Sequence, residues 1–550
     1  MKSLDGRFFI ANERVASQEK IQVENPSTLE QLGEIFLASS EDCGRAVEAA
    51  KQAFPLWRAI SAEEKRKIFL KAKAILVSRT SEIARLITME KGTPVFESLA
   101  VEVFTIIENL DYYGRPQKRP RMPRKVRAYT PFFAHKKNRY LFQPLGPSLV
   151  ISPWNFPFMI PFMDVISDLI VGNTVVLRPS TSTPFTGLAI GEVMAEAGLP
   201  AGVLNIVPCR VPLAEEMIVN PKIQSISFTG SVAVGKRIME LASRNLTNVV
   251  LELGGKDPTI VLADADVELA ARGAVWAAFM NTGQSCASVE RVYVSEEIVD
   301  RFVGRALEIT RSLRVGNPLE AGVDLGPMEN LSQLKVVEEH VQDAVDKGAK
   351  VLWGGRRFDN LPGYFFQPTV LTKVDHTMKI MTEETFGPVL PIMTFRNIEE
   401  AIGLANDSNY GLTASVWTRD KKMGAWMAER LETGGVTIND HMITFNEPTA
   451  IWGGIKQTGM GRTHGPYGLL EIANIKFVSA DFSGKRDRIW WYPYPASKQR
   501  VMEKAVALMH HQRFAEKLKA LFSILPNLKL INATTPFKSL LKITSRLFRG

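Results

Sequence analysis

Cysteine is scarce: 550 residues hold three, Cys43, Cys209 and Cys286. An odd number, widely spaced and without a Cys-x-x-Cys pair, argues against a disulfide framework and against a zinc site, and points to a reducing compartment. No Gly-x-Gly-x-x-Gly run follows an early strand, so the common dinucleotide-binding turn is absent. The opening Met1–Arg7 has charges of both signs and no apolar stretch leading to a cleavage site, which predicts no secretory signal. The charge-free run Pro144–Met163 is about as long as a membrane span, but its prolines at 144, 147, 153, 157 and 161 and Asn155 make it core and loop. Internal repeats and long low-complexity segments are also missing.

The length exceeds what one core serves and predicts two or three domains, and 45% apolar residues fit an ordinary globular protein. The net charge of +9 is unevenly placed: residues 485–550 carry 14 Lys and Arg against 3 Asp and Glu, leaving the preceding 484 nearly neutral. Such asymmetry marks an appended segment that meets an anionic surface. Without a nucleic-acid-binding motif in the tail, membrane is preferred to nucleic acid. Phe514, Leu518, Leu521 and Leu525 recur there at helical spacing. After Pro536, Lys538, Lys542, Arg546 and Arg549 oppose Phe537, Leu540, Leu541, Leu547 and Phe548, and Trp490, Trp491, Tyr492 and Tyr494 precede them. This predicts an amphipathic anchor on an anionic membrane; the alternative is docking on the protein's own body or a dimer partner.

Helical spacing over 42–58 and 61–89, with Ser61 and Glu64 as a capping box, predicts an early helical layer. Short apolar runs at 148–152, 174–177, 203–207, 225–228 and 249–251 alternate with helical stretches and predict parallel βαβ units. A second series at 259–262, 291–294, 414–417 and 436–439, between helices such as 332–348 and 397–405, predicts a second α/β domain, with Glu252 near the junction.

Cys286 closes the run Asn281-Thr-Gly-Gln-Ser-Cys286, and Glu252 lies in Leu251-Glu-Leu-Gly-Gly-Lys256. A thiol after a Gly-containing turn and a carboxylate beside two glycines invite a reading as nucleophile and base. Taken alone, Cys286 reads better as a buried structural cysteine, and the bland reading of Glu252 is a solvated loop carboxylate, although Gly254 and Gly255 beside it favour function. Further runs follow in order: Pro153-Trp-Asn-Phe-Pro157, Leu177-Arg-Pro-Ser180, Phe228-Thr-Gly-Ser231, Glu383-Glu-Thr-Phe-Gly-Pro388 and Gly453-Gly-Ile-Lys456. With these seven runs the chain resembles the aldehyde dehydrogenase superfamily over about residues 20–480.

The resemblance implies an α/β fold with a Rossmann-like NAD(P)-binding domain (1–119 and 143–252), a catalytic domain (253–467) and a small β oligomerisation arm (120–142 and 468–483), here followed by the basic extension 484–550. It implies oxidation of an aldehyde to the acid with NAD or NADP, no metal, a homodimer or homotetramer, and a cytoplasmic protein, peripheral on the cytoplasmic face of a membrane if the tail anchors it. Cys286 is implied as the nucleophile that forms a thiohemiacetal and thioester, Glu252 as the base for water, and Asn155 with the Cys286 N–H as oxyanion donors. Because members that pass the acyl group to coenzyme A typically lack this Glu, hydrolysis is preferred. Ser152, Trp154, Arg178, Ser180, Thr181, Gly230, Ser231, Leu253, Glu384 and Phe386 match coenzyme positions. Phe156, Met163, Ile451 and Trp452 match the substrate tunnel and imply a hydrophobic aldehyde, aliphatic, fatty or aromatic; each reads equally well as core packing.

Three departures stand out. Arg178 replaces the usual Lys, and Thr181 replaces the Glu that repels a 2′-phosphate, so NADP is admitted beside NAD. Pro208-Cys-Arg-Val-Pro212 lacks the glycines usual after its strand. The competing reading is a catalytically silent family member serving as a membrane-tethered scaffold or binding protein.

Overall fold

The computed structural model describes residues 4–115 and 124–544. Two compact units divide the chain, 1–119 with 144–473 and 120–143 with 474–550.

The first unit contains two large sheets. One has eight strands, with five parallel strands at its centre in the order Asn248–Glu252, Ser225–Thr229, Pro147–Ile151, Thr174–Arg178, Leu204–Ile206. Pro147–Ile151 is buried at every position, as expected of a parallel strand covered on both faces. Antiparallel pieces finish both edges: Phe8–Ile10 with Glu13–Val15, and the two-residue Gly459–Met460 beside Asn248–Glu252. The chain runs outward from Pro147–Ile151 through Thr174–Arg178 to Leu204–Ile206, then returns to pair Ser225–Thr229 on the other side of the first strand. The sheet therefore reverses its order between Pro147–Ile151 and Ser225–Thr229, and the carboxyl ends of those two strands open a crevice.

The second sheet runs Lys350–Trp353, Thr369–Thr372, Val389–Phe395, Val289–Ser295, Asp257–Val261, Thr413–Trp417, Gly435–Ile438, all parallel except the first. Only Leu253–Lys256 separates Glu252, which ends a strand of the first sheet, from Asp257, which begins one of the second. The early helical layer consists of Ser40–Ala59, Ala62–Ser78 and Thr80–Lys91. Both Ser39 with Asp42 and Ser61 with Glu64 form capping boxes. The predicted 61–89 helix is thus two helices, broken at Arg79. Pro144–Met163 is a buried strand, a turn and the start of helix Met159–Val171.

In the second unit, Arg124–Val126 pairs antiparallel with Lys137–Pro144, and Ala473–Ala480 lies beside the latter. The tail forms helices Ala496–His510, Phe514–Ile524, Leu528–Thr534 and Phe537–Thr544. Phe132, Ile489, Val501, Ala505, Leu508, Ala520 and Ile531 close a small core of their own. His135 joins Ser539 and Asp481 through its two ring nitrogens, at 2.8 and 2.9 Å. The tail helices thus pack on the arm segment of their own unit, and the expected apolar stripe is split, with Leu521 packed against this small core and Leu518 half-buried. Phe514 and Leu525 are exposed, whereas Lys517 and Ala520 are buried. The side chains of Phe537 and Leu540, and residues 546–549 and 120–123, lie outside the described residues. Among the described residues, no helix is long and apolar enough to cross a membrane.

Candidate active site

The loop that leads to Cys286 is built against backbone preference. Asn281, Thr282 and Gly283 take φ of 55°, 56° and 72° in succession, and a β-branched Thr in this region persists only where its surroundings over-determine it. Asn281 is held at every polar group. Its N–H donates to Glu97 Oε2 (2.8 Å), its Oδ1 accepts from Lys91 Nζ (2.6 Å) and Thr93 Oγ1, and its Nδ2 donates to the carbonyls of Asn155 (3.0 Å) and Gln284 (2.9 Å). Gln284 is buried and accepts the Glu329 N–H at 2.9 Å. Cys286 follows, half-buried.

Glycine is required where the two sheets' loops touch. A Cβ on Gly255 would stand 1.9 Å from the Cys286 carbonyl oxygen, so Leu-Gly-Gly lies flat on the Cys286 backbone. A Cβ on Gly254 would stand 2.6 Å from a Glu384 carboxyl oxygen, and the Gly255 N–H donates to Glu384 Oε1 at 2.9 Å. The Glu384 segment is fixed by a buried ion pair, Lys256 Nζ to Glu290 Oε2 at 2.6 Å, with Glu290 also accepting the Thr385 and Phe386 N–H groups (2.7 and 2.8 Å). Neither Lys256 nor Glu290 was singled out from sequence, and their signal, a Lys and a Glu 34 residues apart, is too common to read.

The acid–base groups sit in low dielectric. The Cys286 thiol is pushed well above its ordinary value, first by burial and then by the carboxyls of Glu384, Asp257 and Glu252. Glu252 is likewise raised, by burial and then by Asp164, against the opposing pull of Arg462 and a hydrogen bond from Trp452. One of its oxygens, Oε1, has no hydrogen-bond partner. Asp164 is itself pushed up to about 8, by burial and Asp168. Glu384 rises to about 8, by burial and Glu290. A carboxyl and a thiol raised together both hold their protons more tightly than in water, an effect a cationic ligand nearby would oppose.

Asn155 is buried and gives one amide hydrogen to the Gln284 carbonyl (3.1 Å), which leaves the second free to donate. A cavity of about 260 Å³ is lined by Cys286 together with Ala100, Val101, Phe156, Met159, Ile160, Trp276, Met280, Ser285, Ala287, Met442, Ile443, Phe445, Asn446 and Trp452. Among these described residues there is no Lys and no Arg. Phe156 and Trp452 line it as expected; Met163 and Ile451 do not. Met163 packs in the core of the first sheet, one turn beyond Met159 and Ile160 on the same side of helix Met159–Val171 and past the cavity, and Ile451 is 40% exposed beside the buried Trp452. Trp276, Met280 and Met442, missed from sequence, come from elements whose approach no local pattern records.

Of the positions matched to a coenzyme, four follow the two strands between which strand order reverses. Ser152 and Trp154 follow Pro147–Ile151, and Gly230 and Ser231 follow Ser225–Thr229. Ser231 caps helix Val232–Ala242, whose free N–H groups suit an anion. The Gly230 N–H donates to the Glu252 carbonyl at 2.9 Å, and the Leu253 N–H to Thr458 at 2.7 Å. The rings of Trp154 and Phe386 meet edge to face at 5.5 Å. Ser152 Oγ and Arg178 Nε are buried with no partner, donors a bound dinucleotide would satisfy. Arg178 Nη2 donates to the Cys209 carbonyl (3.0 Å), and Ser180 Oγ accepts from the Ser182 N–H (3.2 Å), with Thr181 half-buried between them. Among the described residues no cluster of His, Cys, Asp and Glu suits a metal ion.

A family model described as the aldehyde dehydrogenase family matches residues 14–478. The NADP-dependent succinate-semialdehyde dehydrogenase of Escherichia coli is 35% identical over 479 residues, covering 86% of this chain and 96% of that protein. The lactaldehyde dehydrogenase of the same organism is 38% identical over 461 residues, covering 83% and 94%. Among solved structures, an NAD+ complex of aldehyde dehydrogenase from Bacillus cereus superposes with a TM-score of 0.83 at 32% identity, covering 86% of this chain and 96% of that one.

Proposed function

From the premise that the chain belongs to the aldehyde dehydrogenase family, as an oxidoreductase that oxidises aldehydes with NAD or NADP, we propose that it converts apolar aldehydes to free carboxylic acids. The observation that carries the substrate class is the cavity that Cys286 lines, mostly apolar and without a cationic side chain among its described lining residues. In this reading residues 1–119 and 143–252 hold the coenzyme, 253–467 the catalytic loop, and 120–142 with 468–483 the arm of a homodimer or homotetramer.

The donor groups fit a dinucleotide: Ser152, Arg178, Ser180 and Thr181 on the adenosine side, Gly230, Ser231 and the N-terminus of Val232–Ala242 at the pyrophosphate, and Leu253, Trp154, Glu384 and Phe386 around the nicotinamide. When bound, the coenzyme supplies the hydride acceptor. Cys286 gives up its thiol proton to solvent and attacks the carbonyl carbon, forming a thiohemiacetal oxyanion that accepts hydrogen bonds from the second Asn155 amide hydrogen and the Cys286 N–H. Such oriented donors contribute about 3–4 kcal/mol each to the barrier. Loss of hydride leaves a thioester. Glu252 then takes a proton from water, which adds to the thioester and expels the thiolate as the acid departs.

Some relatives are named for ω-carboxylate semialdehydes, succinate and glutarate. A carboxylate entering this cavity would find no cation, and an unpaired buried charge costs several kcal/mol. A medium-chain alkanal is therefore expected to exceed succinate semialdehyde in kcat/KM by at least about a hundredfold, whereas each added methylene contributes about 0.8 kcal/mol of burial until the cavity is full. A panel assay of graded alkanals against semialdehydes decides it, and a preference for the semialdehyde overturns the substrate class.

On the adenosine side, Thr181→Glu is expected to raise the KM for NADP at least about tenfold and to leave that for NAD within about threefold, through repulsion between carboxylate and 2′-phosphate. An unchanged ratio of the two constants would mean that position 181 does not face the ribose.

A further inference from the structure

We propose that Lys91 is a positioning residue for the aldehyde reaction, setting from behind the loop the orientation of the Asn281 amide on which both the Asn155 oxyanion donor and the Cys286 loop rest. The inference rests on the roles proposed above for Cys286 and Asn155.

Lys91 ends helix Thr80–Lys91 and is completely buried, 0% exposed, a rare state for a lysine. Its Nζ lies 2.6 Å from Asn281 Oδ1 and 3.3 Å from Thr93 Oγ1, and 5.9 Å from the centre of the Trp154 ring. The Thr93 hydroxyl donates to the same Asn281 oxygen.

The two ends of an asparagine amide are nearly equal in shape and are told apart only by their partners. An ammonium has donors alone, so the end facing Lys91 must be the oxygen. That choice turns Nδ2 onto two carbonyls, those of Asn155 and Gln284. The Gln284 carbonyl also accepts the Asn155 Nδ2, so one oxygen two residues before the nucleophile ties both amides together. With the amide reversed, an oxygen would face two carbonyl oxygens and an NH2 would face an ammonium and a hydroxyl. Lys91 thereby fixes the register in which oxyanion donor and thiol loop meet, though it touches neither.

The carboxyls of Glu97, Glu102 and Glu329 surround the ammonium and oppose the burial that lowers Lys91 to about 8. They are themselves raised by burial, Glu97 and Glu102 to about 7. A lysine present only to neutralise these acids would influence folding and little else, and the two roles separate by experiment.

Lys91→Met removes the donor, and Lys91→Gln restores a neutral one. In the full-length enzyme with its coenzyme and a medium-chain alkanal, Lys91→Met is expected to lose about 10–100-fold in kcat, the scale of an ångström-sized misplacement. The KM values for aldehyde and coenzyme should stay within about threefold, and Lys91→Gln should recover at least about fivefold. A kcat for Lys91→Met within twofold of wild type overturns the proposal, as does an equal loss in both variants accompanied by lost coenzyme binding. Should neither variant fold, Thr93→Val removes the second donor without altering charge: a reduced kcat at unchanged KM supports the proposal, and an unchanged kcat overturns it. Cys286→Ala assayed in parallel keeps the failures distinct, since turnover surviving there would refute the nucleophile and not the role of Lys91.

Discussion

Aldehyde oxidation by Cys286→Ala is expected to fall at least about a thousandfold below wild type, with coenzyme affinity within about threefold. The separation follows from the layout. The crevice residues Ser152, Trp154, Gly230 and Ser231 belong to the first sheet, whereas Cys286 stands on a loop entering the second. Alanine at 286 removes one sulfur from the wall of an existing cavity, so the fold should tolerate it. Because burial and the neighbouring carboxyls hold the thiol far above its ordinary value, alkylation of the coenzyme-free wild type should be slow at neutral pH. It should quicken about tenfold per pH unit as the thiolate fraction grows. Stopped assays of turnover, titration of coenzyme binding and iodoacetamide labelling against pH test the three parts. Turnover above about a thousandth of wild type sinks the assignment, and rapid pH-independent labelling sinks the account of the resting thiol.

For Glu252→Gln the expected result has a different shape: one equivalent of reduced coenzyme per active site appears in a burst, then steady turnover at least about a hundredfold below wild type. Glutamine keeps the volume and the Trp452 hydrogen bond but cannot take a proton from water, so the thioester accumulates. The pH dependence has a definite sign. Folding raises the Glu252 carboxyl, so its ionised, basic form is gained as pH rises, and wild-type deacylation should accelerate toward alkaline pH. The variant should lose that dependence. Rapid-quench measurement of the burst, with intact mass of the acyl-enzyme, decides the matter; steady turnover at the wild-type rate without a burst would mean that another group activates water.

Much of this arrangement was legible in the sequence because it is local. All nine runs predicted as strands fall on observed strands, since buried parallel strands are continuous apolar runs bounded by turns. Others were missed: Phe8–Ile10 and Glu13–Val15 have three residues each and Gly459–Met460 two, too short for a period to register, but Thr369–Thr372 and the seven-residue Val389–Phe395 inside the second sheet and the hairpin Lys20–Glu24 with Gln31–Phe36 also went unread. The same contrast governs the site. Cys286, Glu252 and Asn155 announce themselves through their neighbours in the chain. Lys91, Asn281, Lys256, Glu290 and Asp164 act through partners brought together by folding, Lys91 and Asn281 across 190 positions. Met163, matched to the tunnel, lies outside the cavity lining: the run it ends was read as core and loop, and how far the cavity extends along helix Met159–Val171 depends on elements packed against it from elsewhere in the chain.

The second unit is assembled from pieces that emerge from the ribosome far apart in time. Lys137–Pro144 must wait for Ala473–Ala480, and the His135 ring for Asp481 and Ser539, until more than three hundred further residues are made. At about 5–20 residues per second this is a delay on the order of 15–60 s. Throughout it, the arm's nascent strand presents an unpaired edge, the commonest template for wrong pairing between neighbouring chains on a polysome. The strand Ala473–Ala480, made long after its neighbour, thus sets the moment at which that edge is covered, and slower translation would prolong the exposure.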